Sequence, residues 1–205
     1  MPDAEKKLMH LRWLAVVFDV IKIIFIATII VTGVRLFIAE PFIVSGDSMV
    51  PTFNSNDYLI IDELSYEFKT PKRGDVVVFR YPLDPSVYFI KRLIGVPGDI
   101  VVVSNEGIFI QSGKLAPYRV LEPYVSPSQT KSETATTTLG EDEYFVLGDN
   151  RNASSDSRAW GPVQKRYLIG RAVARLYPFS RAVVFRSASA TTSSVSVAPT
   201  LSTGK

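Results

Sequence analysis

The chain has 205 residues, a formal net charge of +3, no cysteine and a single histidine, His10. That is enough chain for one packed domain with appendages. The counts exclude disulfides, thiol nucleophiles, iron–sulfur and cysteine- or histidine-rich metal sites, and any Ser-His-Asp triad placed away from the amino end.

The first element is apolar. Trp13 to Val34 reads WLAVVFDVIKIIFIATIIVTGV, close to the ~20 residues that a helix needs to cross a bilayer. Asp19 and Lys22 interrupt it three residues apart, on one helical stripe. We expect a single transmembrane helix over 13–38, with an interfacial amphipathic helix and a cleaved secretory signal as the rival readings. Lys6, Lys7 and Arg12 precede the run, whereas Arg35 is followed by Glu40, Asp47 and Asp57. The positive-inside rule then places residues 1–12 in the cytoplasm and the rest outside the plasma membrane, with lipid as a partner.

From Phe42 onward the chain alternates short β-type runs with turns. Residues 58–61, 75–79, 88–94, 100–103, 107–110 and 144–147 favour strand. Asn105-Glu106-Gly107 between two of them predicts a hairpin, and 168–177 and 182–185 add further strands. The expected fold is mainly β: coiled antiparallel sheets over 39–186, with no large accessory domain. Ser126 to Gly140, rich in Ser and Thr, reads as an exposed mobile loop. Residues 187–205, almost all Ser, Thr, Ala and Val, read as a disordered tail.

Without a usable histidine or cysteine, a hydrolase on this chain needs Ser or Thr with a Lys base, or paired carboxylates. Three constellations bear on that choice. In Ser45-Gly46-Asp47-Ser48-Met49-Val50-Pro51-Thr52, Ser48 sits in a tight turn just after the apolar segment; the plain alternative is an ordinary polar loop. In Tyr88-Phe89-Ile90-Lys91-Arg92-Leu93-Ile94, strand alternation sends Lys91 and Arg92 to opposite faces, so one cation meets apolar neighbours. An edge lysine that snorkels is the plain alternative. A buried lysine that falls about three units from ~10.4 becomes a neutral amine near pH 7, able to deprotonate a hydroxyl. The third is Gly148-Asp149-Asn150-Arg151-Asn152-Ala153-Ser154-Ser155-Asp156-Ser157-Arg158, a dense polar loop after a strand. Asx-type hydrogen bonds and an Asp–Arg pair would hold it whatever else it does.

Together these runs resemble the bacterial type I signal peptidases, membrane-anchored serine proteases of the Ser/Lys kind. Gly46 to Thr52 is similar to their Gly-x-Ser-Met-x-Pro-Thr box. Lys91 to Asp99 follows Lys-Arg-x-x-Gly-x-Pro-Gly-Asp, and Gly148 to Arg158 follows Gly-Asp-Asn-x-x-x-Ser-x-Asp-Ser-Arg. The resemblance covers about residues 14–185. It implies Ser48 as nucleophile, Lys91 as general base and Ser154 as the hydroxyl that orients the amine. Asp149, Asp156 and Arg158 would brace the site. Some members carry a serine at the position of Gly46 to help hold the oxyanion, so here the Ser48 N–H would need a second donor.

Phe42, Ile43, Val44 and Met49 are candidates for contact with substrate. The implied substrates are exported preproteins with signal peptides, cut after small residues; the secretion machinery is a candidate partner, and no cofactor, metal or nucleic acid is expected. Two other classes fit less of the chain. A self-cleaving repressor would need a DNA-binding module where the apolar segment stands. An anchored, non-enzymatic β domain would have no use for the three boxes together.

Overall fold

The computed structural model describes residues 2–37, 40–126 and 134–185, in two units that divide after Ala39. The first unit is one helix, α1 (Pro2–Phe37). Most of the apolar side chains described between Trp13 and Val31 are exposed: Trp13, Phe18, Ile23 and Phe25 are each 65–70% exposed. Among the described residues, however, no helix is long and apolar enough to cross a membrane. The segment expected over 13–38 is helical through Phe37, and residue 38 lies outside the described residues.

The second unit is mainly β. Its strands are β1 (Glu40–Ile43), β2 (Tyr58–Asp62), β3 (Val76–Tyr81), β4 (Asp84–Gly95), β5 (Asp99–Ser104) and β6 (Gly107–Ser112), then β7 (Tyr118–Arg119), β8 (Ala135–Thr138), β9 (Glu143–Leu147), β10 (Val163–Gln164), β11 (Leu168–Tyr177) and β12 (Val183–Val184). Two short helices, α2 (Leu64–Phe68) and α3 (Ser157–Trp160), lie between strands. An eight-stranded sheet runs β1-β2-β11-β3-β4-β9-β10, with β12 paired to β11, and a four-stranded sheet runs β7-β6-β5-β8. All pairings are antiparallel, including the hairpin that joins Ser104 to Gly107.

The unbroken apolar runs follow from burial on both faces of the larger sheet. On β3, Val76 and Val78 enter one core with Met49, Phe53 and Leu59, while Val77 and Phe79 enter another with Leu93 and Val146. A third core lies on the smaller sheet, where Val101, Ile108 and Ile110 meet Ile94 and Phe145. Strand β4 reaches all three cores through Ile90, Leu93 and Ile94. Its C-terminal half, from Lys91 to Gly95, is therefore buried.

One expectation is corrected. Part of the Ser/Thr-rich stretch 126–140 is strand β8, which pairs with β5 from Ile100↔Thr138 to Val103↔Ala135. Threonine is β-branched and suits a half-buried strand, and β8 satisfies backbone groups on β5 that would otherwise lack partners. Residues 127–133 of that loop and the tail 187–205 lie outside the described residues.

Candidate active site

Ser48 sits on a loop that leaves β1 and returns as β2. The loop is closed at its base by Val44 N–H donating to Asp57 O (2.9 Å) and Asn56 N–H donating to Val44 O (2.8 Å). Within it Val50 N–H donates to Asp47 O (3.2 Å), and Met49 and Phe53 drop into the core with no exposed surface. Buried anchors on the far side of Ser48 thus hold its hydroxyl toward β4. Gly46, at φ +90°, supplies the left-handed backbone that turns the chain into this loop.

Strand β4 brings Lys91 to meet it. Lys91 Nζ lies 2.8 Å from Ser48 Oγ and donates to Ile90 O at 3.0 Å, over the Phe89 ring at 4.9 Å. The lysine is only 4% exposed. Burial pulls its pKa down from 10.5 to about 8, against the charges of Asp156 and Asp149, which push it up. No carboxylate makes an ion pair with it among the described residues.

The polar loop after β9 supports both groups. Asp149, fully buried, takes two bonds from Arg92 (2.8 and 2.6 Å) and one from Thr52 Oγ1 (2.5 Å), which ties this loop to β4 and to the Ser48 loop. Asp156 accepts from Gly148 N–H (3.0 Å) and from Arg158 Nε (2.8 Å) and Nη2 (2.9 Å). Gly148 lies against Ser48 itself: a Cβ there would stand 2.5 Å from both Ser48 O and Ser154 Cβ, and nearer still to Ser154 Oγ.

A cleft of about 280 Å³ opens over the dyad, walled by Phe42, Ile43, Val44, Tyr88 and Ile90 and floored by Ser48 and Lys91. A larger concavity of about 610 Å³, between α2 and the start of β11, has no serine or threonine in its wall, so it offers no nucleophile of this kind. A hydroxyl and a mostly dehydrated amine in hydrogen-bond contact form a nucleophile–base pair that needs no histidine.

The family model described as "Signal peptidase, peptidase S26" matches residues 17–177. The chain belongs to the signal peptidase family. It is 38% identical to the signal peptidase I of Leptolyngbya laminosa over 78% of this chain and 80% of that one. Identity is 40% with the probable signal peptidase I-2 of Synechocystis (76% and 71% covered) and 33% with the signal peptidase I of Bacillus caldolyticus (77% and 90%). A solved signal peptidase I from Enterococcus faecalis V583 is 32% identical, with a TM-score of 0.42 over 50% of this chain and 97% of its own.

Of the residues singled out from sequence, Ser48, Lys91, Asp149, Asp156 and Arg158 converge here. Phe42, Ile43 and Val44 line the cleft. Met49 does not: it is wholly buried in the core beneath, so its place among substrate contacts is corrected. Ser154 Oγ is buried without a hydrogen-bond partner among the described residues, and the contacts of Lys91 Nζ are instead Ser48 Oγ and Ile90 O. Tyr88, Ile90, Ala153 and Ser155 complete the cleft wall unforeseen. For Tyr88 and Ile90 the signal was available, since both flank the lysine on its own strand.

Proposed function

We propose that this protein is a serine endopeptidase that removes N-terminal signal peptides from exported preproteins, with Ser48 as nucleophile and Lys91 as general base. The observation that carries the reading is the 2.8 Å approach of a buried lysine amine to the Ser48 hydroxyl in an open apolar cleft. In its neutral form Lys91 accepts the hydroxyl proton as Oγ attacks the scissile carbonyl carbon. The tetrahedral oxygen turns to the Ser48 N–H, which has no acceptor among the described residues. The intermediate collapses, the ammonium proton goes to the leaving amine, and the neutral lysine then deprotonates the water that hydrolyses the acyl-enzyme.

β1 ends the larger sheet, and its last two residues, Phe42 and Ile43, wall the cleft. That favours a substrate bound as an extended strand, with small side chains in the shallow spaces between the apolar walls. A covering peptide also dries Lys91 further, which raises its neutral fraction. Ser154, whose hydroxyl is buried and has no partner among the described residues, is the group for holding the amine once Ser48 has given up its proton.

The outward-facing apolar side chains of α1 suit lipid better than water. Ile and Val, which dominate 16–31, are indifferent helix formers without such packing. In this reading α1 anchors the chain in the plasma membrane, with residues 1–12 cytoplasmic and the β unit outside, beside lipid and the secretion machinery.

The test is incubation of the detergent-solubilised protein with a preprotein, the cut being mapped by mass spectrometry. Cleavage after a small residue is expected, and it is expected to vanish in Ser48→Ala and in Lys91→Ala, a loss of at least ~10²–10⁴-fold for the base alone. Near-normal processing by either variant would overturn the assignment.

A further inference from the structure

Asn150 touches neither the reacting hydroxyl nor the amine, yet it bonds both peptides that flank the nucleophile. Its side-chain Nδ2 donates to Asp47 O at 3.1 Å, and its backbone N–H donates to Ser48 O at 3.0 Å. In a trans peptide the C=O and the following N–H point in opposite directions within one plane. Pinning Asp47 O on one side therefore aims the Ser48 N–H to the other. A rotation of the 47–48 peptide would break the Asn150 bond and the Val50 N–H bond to the same oxygen together.

Asn150 is itself firmly mounted. It follows Asp149, which is fixed by Arg92 and Thr52, and its own carbonyl accepts from Ala153 N–H at 3.2 Å. Gly148 lets this turn come close to the Ser48 carbonyl, where any side chain would collide. We infer that Asn150 is a positioning residue that locks the Ser48 backbone N–H in the orientation that receives the oxyanion. This rests on the reading of Ser48 as nucleophile. It also bears on Gly46, which offers no hydroxyl to the tetrahedral oxygen: a chain with fewer donors depends more on keeping this one aligned.

Loss of one oxyanion donor costs ~10²–10³ in kcat, and an N–H freed to rotate is a partial loss. In Asn150→Ala, kcat is expected to fall about 10–100-fold with KM little changed. A peptide aldehyde, whose carbonyl carbon takes Ser48 Oγ to give a tetrahedral oxygen, should lose affinity by a similar factor. An uncleavable peptide of the same sequence should keep its affinity, and the pH midpoint of kcat/KM should stay where it is in the parent protein. Asn150→Leu, which keeps a branched side chain while removing both polar atoms of the amide, guards against a defect from the loss of bulk and should match Asn150→Ala.

Unchanged kcat in both variants overturns the inference. So does equal weakening of aldehyde and uncleavable peptide, which marks a structural role, or a displaced midpoint, which marks an action through Lys91. If the parent protein itself cleaves no preprotein, the reading of function fails first, and the two failures are distinct.

Discussion

Lys91 and Arg92 are neighbours on β4, both almost withdrawn from water, and the protein treats them in opposite ways. Burial alone pushes each toward its neutral form. For Arg92, two bonds and the full charge of Asp149 overcome that pressure and hold the guanidinium above its ordinary pKa, with the Tyr124 ring stacked 3.9 Å away. For Lys91 the same carboxylate acts only through space, and burial wins. Strand alternation separates the two side chains; the placement of a single aspartate then makes one cation a structural rivet and leaves the other able to exchange a proton. What decides the charge of a buried base is direct contact with an anion more than depth.

The largest effect that would break this contrast is removal of the rivet. Asp149→Ala leaves Arg92 buried and unpaired, and denaturant unfolding should show a loss of about 3–5 kcal/mol. A loss below about 1 kcal/mol would mean that Arg92 finds water or another acceptor.

The converse is expected at the neighbouring position. Lys91→Met should stabilise the fold at pH 7 by up to about 3 kcal/mol, because the native state holds the amine near 8 against 10.5 when unfolded. The sign follows from the lowered pKa. Below pH 8 the folded parent carries an ammonium it disfavours; from 8 to 10.5 the penalty fades, and above that it is gone. Melting curves for parent and variant should therefore converge as pH rises, and a gap that widened would contradict the burial argument.

The smallest effect is on the pH profile. kcat/KM should rise with pH through about 8 as Lys91 loses its proton. Asp156→Asn keeps an acceptor for the Gly148 N–H and removes a charge that favours the ammonium, so its midpoint should move to lower pH. Steady-state rates on a peptide substrate from pH 6 to 10 would show it; a shift the other way would mean that Asp156 acts through geometry alone.

Much of this was legible in the linear chain, for identifiable reasons. Strands such as 76–79 and 144–147 announce themselves because burial on both faces demands an unbroken apolar run. The meeting of Ser48 with Lys91 was legible because a Ser turn and a Lys-Arg strand sit in patterned boxes, and because the chain offers no cysteine and a single histidine near its amino end. Strand β8 was hidden because Ala135–Thr138 lies within a polar stretch, and only its pairing with β5 shows what the β-branching of its threonines is for. Met49 misled for a similar reason: adjacency to Ser48 says nothing about which way a tight turn sends its side chain. Asn150 was passed over as one polar residue among many, since its partner Asp47 lies 103 positions away. Contacts of that span are set by the fold and leave no local mark.

The glycine at 148 has a consequence for anyone who scans this gene for tolerated changes. It carries no charge and donates no side-chain atom, and its φ lies outside the left-handed region, so a survey by chemistry or by backbone angle would rank it as replaceable. Even a methyl group there drives the Ser48 carbonyl and the Ser154 side chain apart. In a saturation library, position 148 should therefore be as intolerant as positions 48 and 91, and Gly148→Ala should yield a folded but silent protein.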